Sequence, residues 1–231
     1  MRESPILFSG PMVRAILEGR KTQTRRIVKL PHNNPLGEWE PTTAGGGSVK
    51  CAGGAPAPEI AAIRHTRTGD CHVCPHGDIG DRLWVRETHE VRRIGTETFD
   101  GSRPPRRYAG IAYKADDGRA EADIDLNTYQ ALDAKESRGW SPSIHMPRWA
   151  SRITLEITSV RAERLQSISE SDARDEGVAI ADHHMRGYCG GALRPPSIRA
   201  FHDLWDSLNA TRGYGWDMNP WVWVVEFTKV V

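Results

Sequence analysis

The chain has 231 residues, with 31 lysines and arginines against 30 aspartates and glutamates, and a formal net charge of +1. That balance excludes a protein that holds nucleic acid by bulk charge alone, and the absence of a long apolar run argues against a membrane-spanning helix. Hydrophobic residues make up 38%, enough for a core, and the length suits one large domain with insertions or two small ones. The charge is uneven: Arg2, Arg14, Arg20, Lys21, Arg25, Arg26 and Lys29 stand against only Glu3 and Glu18 in the first thirty positions.

In chain order, Pro5–Phe8 reads as a short strand, and Ser9-Gly10-Pro11 turns the chain into a helix. Met12, Val13, Ile16 and Leu17 recur at helical spacing, and Gly19 ends that helix. The run Gly19-Arg20-Lys21-Thr22-Gln23-Thr24-Arg25-Arg26 follows. If it forms one helical turn, Lys21 and Thr24 share a face. Residues 31–70 are proline-rich and aperiodic, and read as a mobile excursion with Trp39 as a lone anchor.

Gly77–Arg82 is a turn before a strand over Leu83–Thr88, whose alternation places Glu87 beside Leu83 and Val85, so that its carboxylate needs a partner. Residues 95–107 read as a loop, Ile111–Ala115 as a strand ending at Asp116-Asp117-Gly118, and Trp140–Trp149 as a connection. Arg152–Val160 alternates cleanly as a strand. Ser169 caps a short helix through Asp172, Ala173 and Glu176, which Gly177 ends. Ile198, Phe201, Leu204, Trp205 and Leu208 form an amphipathic helix, and Trp221–Phe227 a central strand. The sum is a mixed α/β fold, mainly β, of about five or six strands, closed as a barrel with short helices and long loop insertions.

The Gly19–Arg26 window carries the chemistry: an amine and two hydroxyls beside clustered guanidiniums, which suit proton transfer, acyl attack and phosphate or base contact. A solvated basic helix end accounts for the same residues. Cys71-His72-Val73-Cys74-Pro75-His76 resembles half of a zinc site, with Cys51 as a third thiolate, but the second cysteine pair is missing. No metal and no cofactor are expected. His183, His184 and Cys189 read as surface residues. The opening ten residues are interrupted too early for a membrane-directed segment, so the reading is cytoplasmic with reduced thiols.

Pro5–Ser9, Gly19–Arg26, Gly80–Thr88, the strand at 152–160 with the segment 168–178, and Asn219–Phe227 together resemble the ASCH superfamily, and most closely its longer phage and prophage members. The resemblance implies a single PUA-like domain over 1–231, with insertions at 31–70 and 89–150. One branch consists of N4-acetylcytidine amidohydrolases. This chain is similar to that branch in Lys21, Thr24 and Glu176, and is about twice its length.

The implied activity is removal of an acyl group from the exocyclic N4 amine of cytidine or a related modified nucleoside. Thr24 is the candidate nucleophile and Lys21 its base. Glu176 either orients the lysine or shuttles a proton, and the sequence does not rank these roles. Arg20, Arg25 and Arg26 press the lysine toward its neutral form and hold the ligand, and Thr22 caps or donates to it. Trp84, Arg86 and Glu87 complete the binding set, by base stacking and phosphate or base-edge contact, or else as a core aromatic and an ion network. The partner is a modified nucleoside or nucleotide, with RNA or single-stranded DNA as the polymer form and no membrane. The rivals are a non-catalytic binder of RNA or modified DNA and a ribonuclease using the same basic cleft. A polymer would follow a basic track through Arg92, Arg93, Arg103, Arg106 and Arg107.

Overall fold

The computed structural model describes residues 1–46, 54, 57–98, 104–135, 139–180 and 194–230. Its strands, in chain order, are β1 (Glu3–Leu7), β2 (Gln23–Ile27), β3 (Trp39–Ala44), β4 (Ile60–His65), β5 (Cys71–Val73), β6 (Arg82–Arg86), β7 (His89–Glu97), β8 (Arg106–Tyr113), β9 (Arg119–Asp123), β10 (Thr154–Arg164) and β11 (Trp221–Lys229). The α-helices are α1 (Gly10–Leu17), α2 (Leu126–Asp133), α3 (Glu170–Asp175) and α4 (Pro196–Asn209). The fold is mixed α/β and mainly β, 38% strand against 26% helix. The strands form several sheets, and the expected closed barrel is not found among the described residues.

The chain divides into two compact units. The first comprises Met1–Arg2, Glu18–Asp81 and Glu156–Thr228. Within it β2 pairs antiparallel with β11, and Thr24 stands opposite Val225. The apolar run of β11 is buried, as its composition requires. Beside it α4 lays Ile198, Phe201 and Trp205 against Leu165, Ala173, Trp216, Val222 and Val224. This stripe at helical spacing is the reason α4 forms where it does, and Ser197, Arg199 and Asn209 are buried along with it. Leu208, expected on the core face, is 44% exposed.

The same unit corrects the reading of 31–70 as a structureless excursion. β3, β4 and β5 form an antiparallel three-stranded sheet. Trp39 is its anchor, 7% exposed, but its neighbours are histidines, which a hydrophobic pattern does not register. The rings of His32, His65 and His72 lie 5.1, 5.1 and 5.7 Å from the Trp39 ring. Thr68 N donates to His65 Nδ1 at 3.1 Å, which leaves Nε2 to donate to the Asn34 carbonyl at 3.3 Å. One neutral tautomer satisfies this fully buried ring.

The second unit comprises Glu3–Leu17, Arg82–Leu155 and Lys229–Val231. β1 pairs with β6 in parallel, and the short α1 that follows β1 buries Val13, Ala15 and Ile16. Residues 95–107, expected as a loop, supply strand on both sides: β7, β8 and β9 form an antiparallel sheet over Val91, Ala109, Ile111 and Tyr113. α2, which the sequence pattern does not announce, is held by Asp125 accepting from Thr128 N at 2.7 Å, and it buries little beyond Leu132. No helix among the described residues is long and apolar enough to cross a membrane.

Trp216 fills the centre of the α4–β11 core at 2% exposure. Trp216→Ala will cost about 3–5 kcal/mol in urea unfolding. Leu208→Ala, on the exposed side of α4, will change stability by no more than about 0.5 kcal/mol.

Candidate functional site

All three residues of the expected catalytic set lie in the first unit, and two of them meet directly. The chain enters β2 through Lys21, whose backbone forms an isolated antiparallel bridge with Glu176. Thr22 N donates to the Asp175 carbonyl and Phe227 N to the Thr22 carbonyl, each at 2.8 Å, so this segment is fastened on one side to the end of α3 and on the other to β11. α3 starts at Ser169, where a full capping box with Asp172 is present as expected. Gly177, with φ of 76°, then turns the chain out after Glu176.

The Lys21 side chain is wholly buried. Its Nζ donates to Glu176 Oε2 at 2.7 Å, to the Glu176 carbonyl at 2.9 Å and to the Gln23 carbonyl at 2.8 Å. These acceptors match the three donors of an ammonium. Burial holds the Lys21 pKa below the ordinary lysine value. Glu176 pulls the other way, and the cations Arg26 and Arg25 add to the lowering. The basic window therefore does press on the lysine as its composition suggests, but desolvation is the larger cause.

Glu176 is shared. Its Oε1 accepts from Arg25 Nη1 at 3.4 Å, and Arg25 Nη2 reaches Glu163 at 2.6 Å and Asp172 at 3.2 Å. Arg161 extends the network to Glu163 and Asp172, each at 3.2 Å, and to Glu226. Gln23 Nε2 donates to the Asp172 carbonyl at 2.7 Å. Sequence reasoning missed Gln23, Arg161 and Glu163 as members. The signal for the last two was the continuation of charged alternation past Val160, because β10 runs on to Arg164.

Thr24 is buried, at 3% exposure, but its setting differs from the helical turn that the sequence allowed. Gln23–Ile27 is a strand. Strand alternation therefore groups Gln23 with Arg25, both engaged with α3, and turns Thr24 and Arg26 to the opposite face. Lys21 and Thr24 lie close in sequence, and β2 separates their directions.

Of the expected binding residues, Arg20 is exposed, paired with Glu18, and donates to the Gly177 carbonyl at 3.1 Å. Thr22 is exposed, Arg25 buried and Arg26 half-buried. Burial lowers the Arg26 pKa while Glu176 opposes that, and the guanidinium stays charged. Trp84, Arg86 and Glu87 belong to the second unit. Arg86 lies over the Trp84 ring at 4.8 Å. Glu87 has the partner that its position demanded: Arg152 grips both its oxygens, at 2.9 and 3.0 Å, and also reaches Asp116 at 2.7 Å.

Among the described residues no group of three or more His, Cys, Asp or Glu side chains is placed to hold a metal ion. Cys71 is exposed, and burial pushes the Cys74 thiol up to about 11. Cys51, Arg103, His183, His184 and Cys189 lie outside the described residues. His76 is half-buried, and desolvation, with Arg26 adding to it, pushes its pKa down to about 4. Comparison with protein-family models, with curated proteins and with solved structures finds no match to this chain.

Two outcomes follow from these charges. Glu176→Gln removes the counter-charge of a buried ammonium and will cost about 3–5 kcal/mol at neutral pH. Glu176 raises the Lys21 pKa, so its loss lowers that pKa further. Unfolded lysine then binds the extra proton, and the variant regains stability as pH rises toward about 10.4. The gap to wild type, read by urea unfolding at about pH 7 and about pH 9.5, will narrow at the higher value. For His76 the unfolded chain also takes up the extra proton, so stability falls as pH drops from about 6.5 toward 4. His76→Gln will flatten that acid limb.

Proposed function

We propose that the protein is an amidohydrolase that removes an acyl group from the N4 amine of cytidine or a related modified nucleoside, and that its fold is an ASCH, PUA-like one. The observation that carries the reading is the buried Lys21–Glu176 pair, in which desolvation favours the neutral amine needed for base catalysis. The order of the motifs along the chain supports the ASCH relationship.

In this reading the Thr24 hydroxyl attacks the acyl carbon and its proton reaches neutral Lys21 by a relay around the start of β2, since the two side chains face different ways. The charge that develops on the acyl oxygen is stabilised by the neighbouring guanidinium of Arg26. Collapse breaks the bond from carbon to N4, and the proton passes from Lys21 to the leaving amine. Water then hydrolyses the acyl-threonine, giving the carboxylic acid and restoring the hydroxyl. Glu176 holds the lysine in position and offsets its charge while it is protonated. Arg20, Thr22 and Arg25 serve the ligand or the lysine.

A second reading is favoured by one observation. The donors of Lys21 are matched by acceptors within the fold, and Thr24 is turned to the other face of β2. That arrangement suits a rigid, non-catalytic binder of RNA or modified DNA.

Incubation with N4-acetylcytidine and other N4-acylated nucleosides, followed by chromatography of the free cytidine, separates the two readings. Lys21→Met and Thr24→Ala are each expected to slow turnover by about 10²–10⁴-fold, with Thr24→Ser retaining part of it. Unchanged hydrolysis by a folded Lys21→Met protein defeats the enzymatic assignment.

A further inference from the structure

The sheet β7–β8–β9 carries a second feature, contained wholly in the second unit. The pairing of β7 with β8 shifts register between Val91 and Arg93, leaving Arg92 as an extra residue. Strict alternation would turn one of two successive residues inward. The bulge instead leaves both Arg92 and Arg93 outside, with side chains 49% and 67% exposed, while Val91 keeps its place in the core at 8%.

Gly110, opposite Arg93, completes the floor. A Cβ there would stand 2.7 Å from Arg93 Cγ, so the arginine stem crosses the sheet only because this position has no side chain. Arg119, on β9, comes in from the far side. Together they line a half-open cavity of about 450 Å³, with Ile111, Ala120 and Glu121. That volume lies in the roughly 300–1,000 Å³ range of ligand pockets.

Charge favours an anion. The lining has three guanidiniums and one carboxylate. Glu121 holds Arg93 at 2.9 Å and Glu90 holds Arg92 at 3.0 Å, which orients both forks. Arg119 is exposed and makes no ion pair among the described residues. Aromatic rings flank the cationic stretch: Trp140, 40% exposed, lies 6.0 Å from Arg92, and Tyr108 sits between Arg93 and Arg106 at 5.6 and 5.5 Å. Guanidiniums beside one exposed ring, Trp140, and one half-buried ring, Tyr108, suit phosphates alternating with bases.

We propose that this cleft binds the phosphodiester backbone of a single nucleic-acid strand, with Arg92, Arg93 and Arg119 as the phosphate ligands. The proposal goes beyond the deacylation reading and does not depend on it, because it concerns unmodified strands and needs no turnover.

The test is fluorescence anisotropy of the full chain with a labelled oligouridylate dodecamer, at about 50 mM and about 200 mM salt. Wild type is expected to bind at the lower salt and to weaken steeply at the higher. Arg119→Glu, at an exposed position with no ion pair among the described residues, is expected to weaken binding at least tenfold and to flatten the salt slope by about 0.7 for each phosphate that is no longer neutralised. Arg92→Ala/Arg93→Ala is expected to act in the same direction, with circular dichroism unchanged. Equal affinity in wild type and both variants overturns the proposal, as does no binding at the lower salt. Uridine monophosphate displacing the strand as well as unlabelled dodecamer overturns it too, since the cleft is then a monophosphate site. Hydrolysis of free N4-acetylcytidine is followed separately, so failure of either reading leaves the other visible.

Discussion

An ammonium taken out of water is the constraint around which the first unit is arranged. The effective penalty for such burial is several kcal/mol per ion even after relaxation. Lys21 meets it with a carboxylate and two carbonyls, which come from two pieces of chain, Glu176 at the end of α3 and Gln23 at the start of β2. The Glu176 carbonyl is available because α3 ends there and Gly177 turns away. The Gln23 carbonyl is available because β2 has just begun. The Glu176 carboxylate is then divided between Lys21 and Arg25, and Arg25 carries the charge on to Glu163 and Asp172. One side chain thus fixes where a strand starts, where a helix stops and how the two are joined.

The same arrangement governs what chemistry is open to it. A lysine acts as a base only when neutral, and desolvation favours that form, whereas Glu176 favours the ammonium. The competition between these roles was already present in the residue types; geometry adds its sign, because burial is the larger influence. Geometry also adds a complication. A strand sends neighbouring residues to opposite faces, so Thr24 parts company with Gln23 and Arg25. Lys21 and Thr24 are therefore not brought together on one face, as a helical turn would have done.

Much of this was legible wherever a local rule acted alone. The Ser169–Asp172 cap, the turn at Gly177, the buried run of β11 and the need of Glu87 for a partner all follow from short-range chemistry. The identity of that partner does not, because Arg152 is far away in sequence and looks like any other strand-leading arginine. Residues 23–27 carry no apolar alternation, since three successive side chains are buried in polar company. Their strand character comes from pairing with Trp221–Lys229, a contact of long range. β3 and β4 were hidden for a related reason: beside Ala62 and Ile63 their packing rests on one tryptophan among three histidines, so the burial is real while the hydrophobic signal is weak.

The near balance of charge has to be judged by place. Where carboxylates are interleaved with arginines, as around Arg25 and Arg161, the positive charge is matched within the fold and little of it is offered outward. Arg152 is similarly committed to Glu87 and Asp116. At the bulge of β7 the geometry differs: two successive arginines are turned outward, a glycine leaves room for one of their stems, and a third guanidinium across the sheet has no ion-pair partner among the described residues. A protein with almost no net charge can therefore still present a cationic cleft, because what a ligand meets is set by where the acids are missing and not by the total.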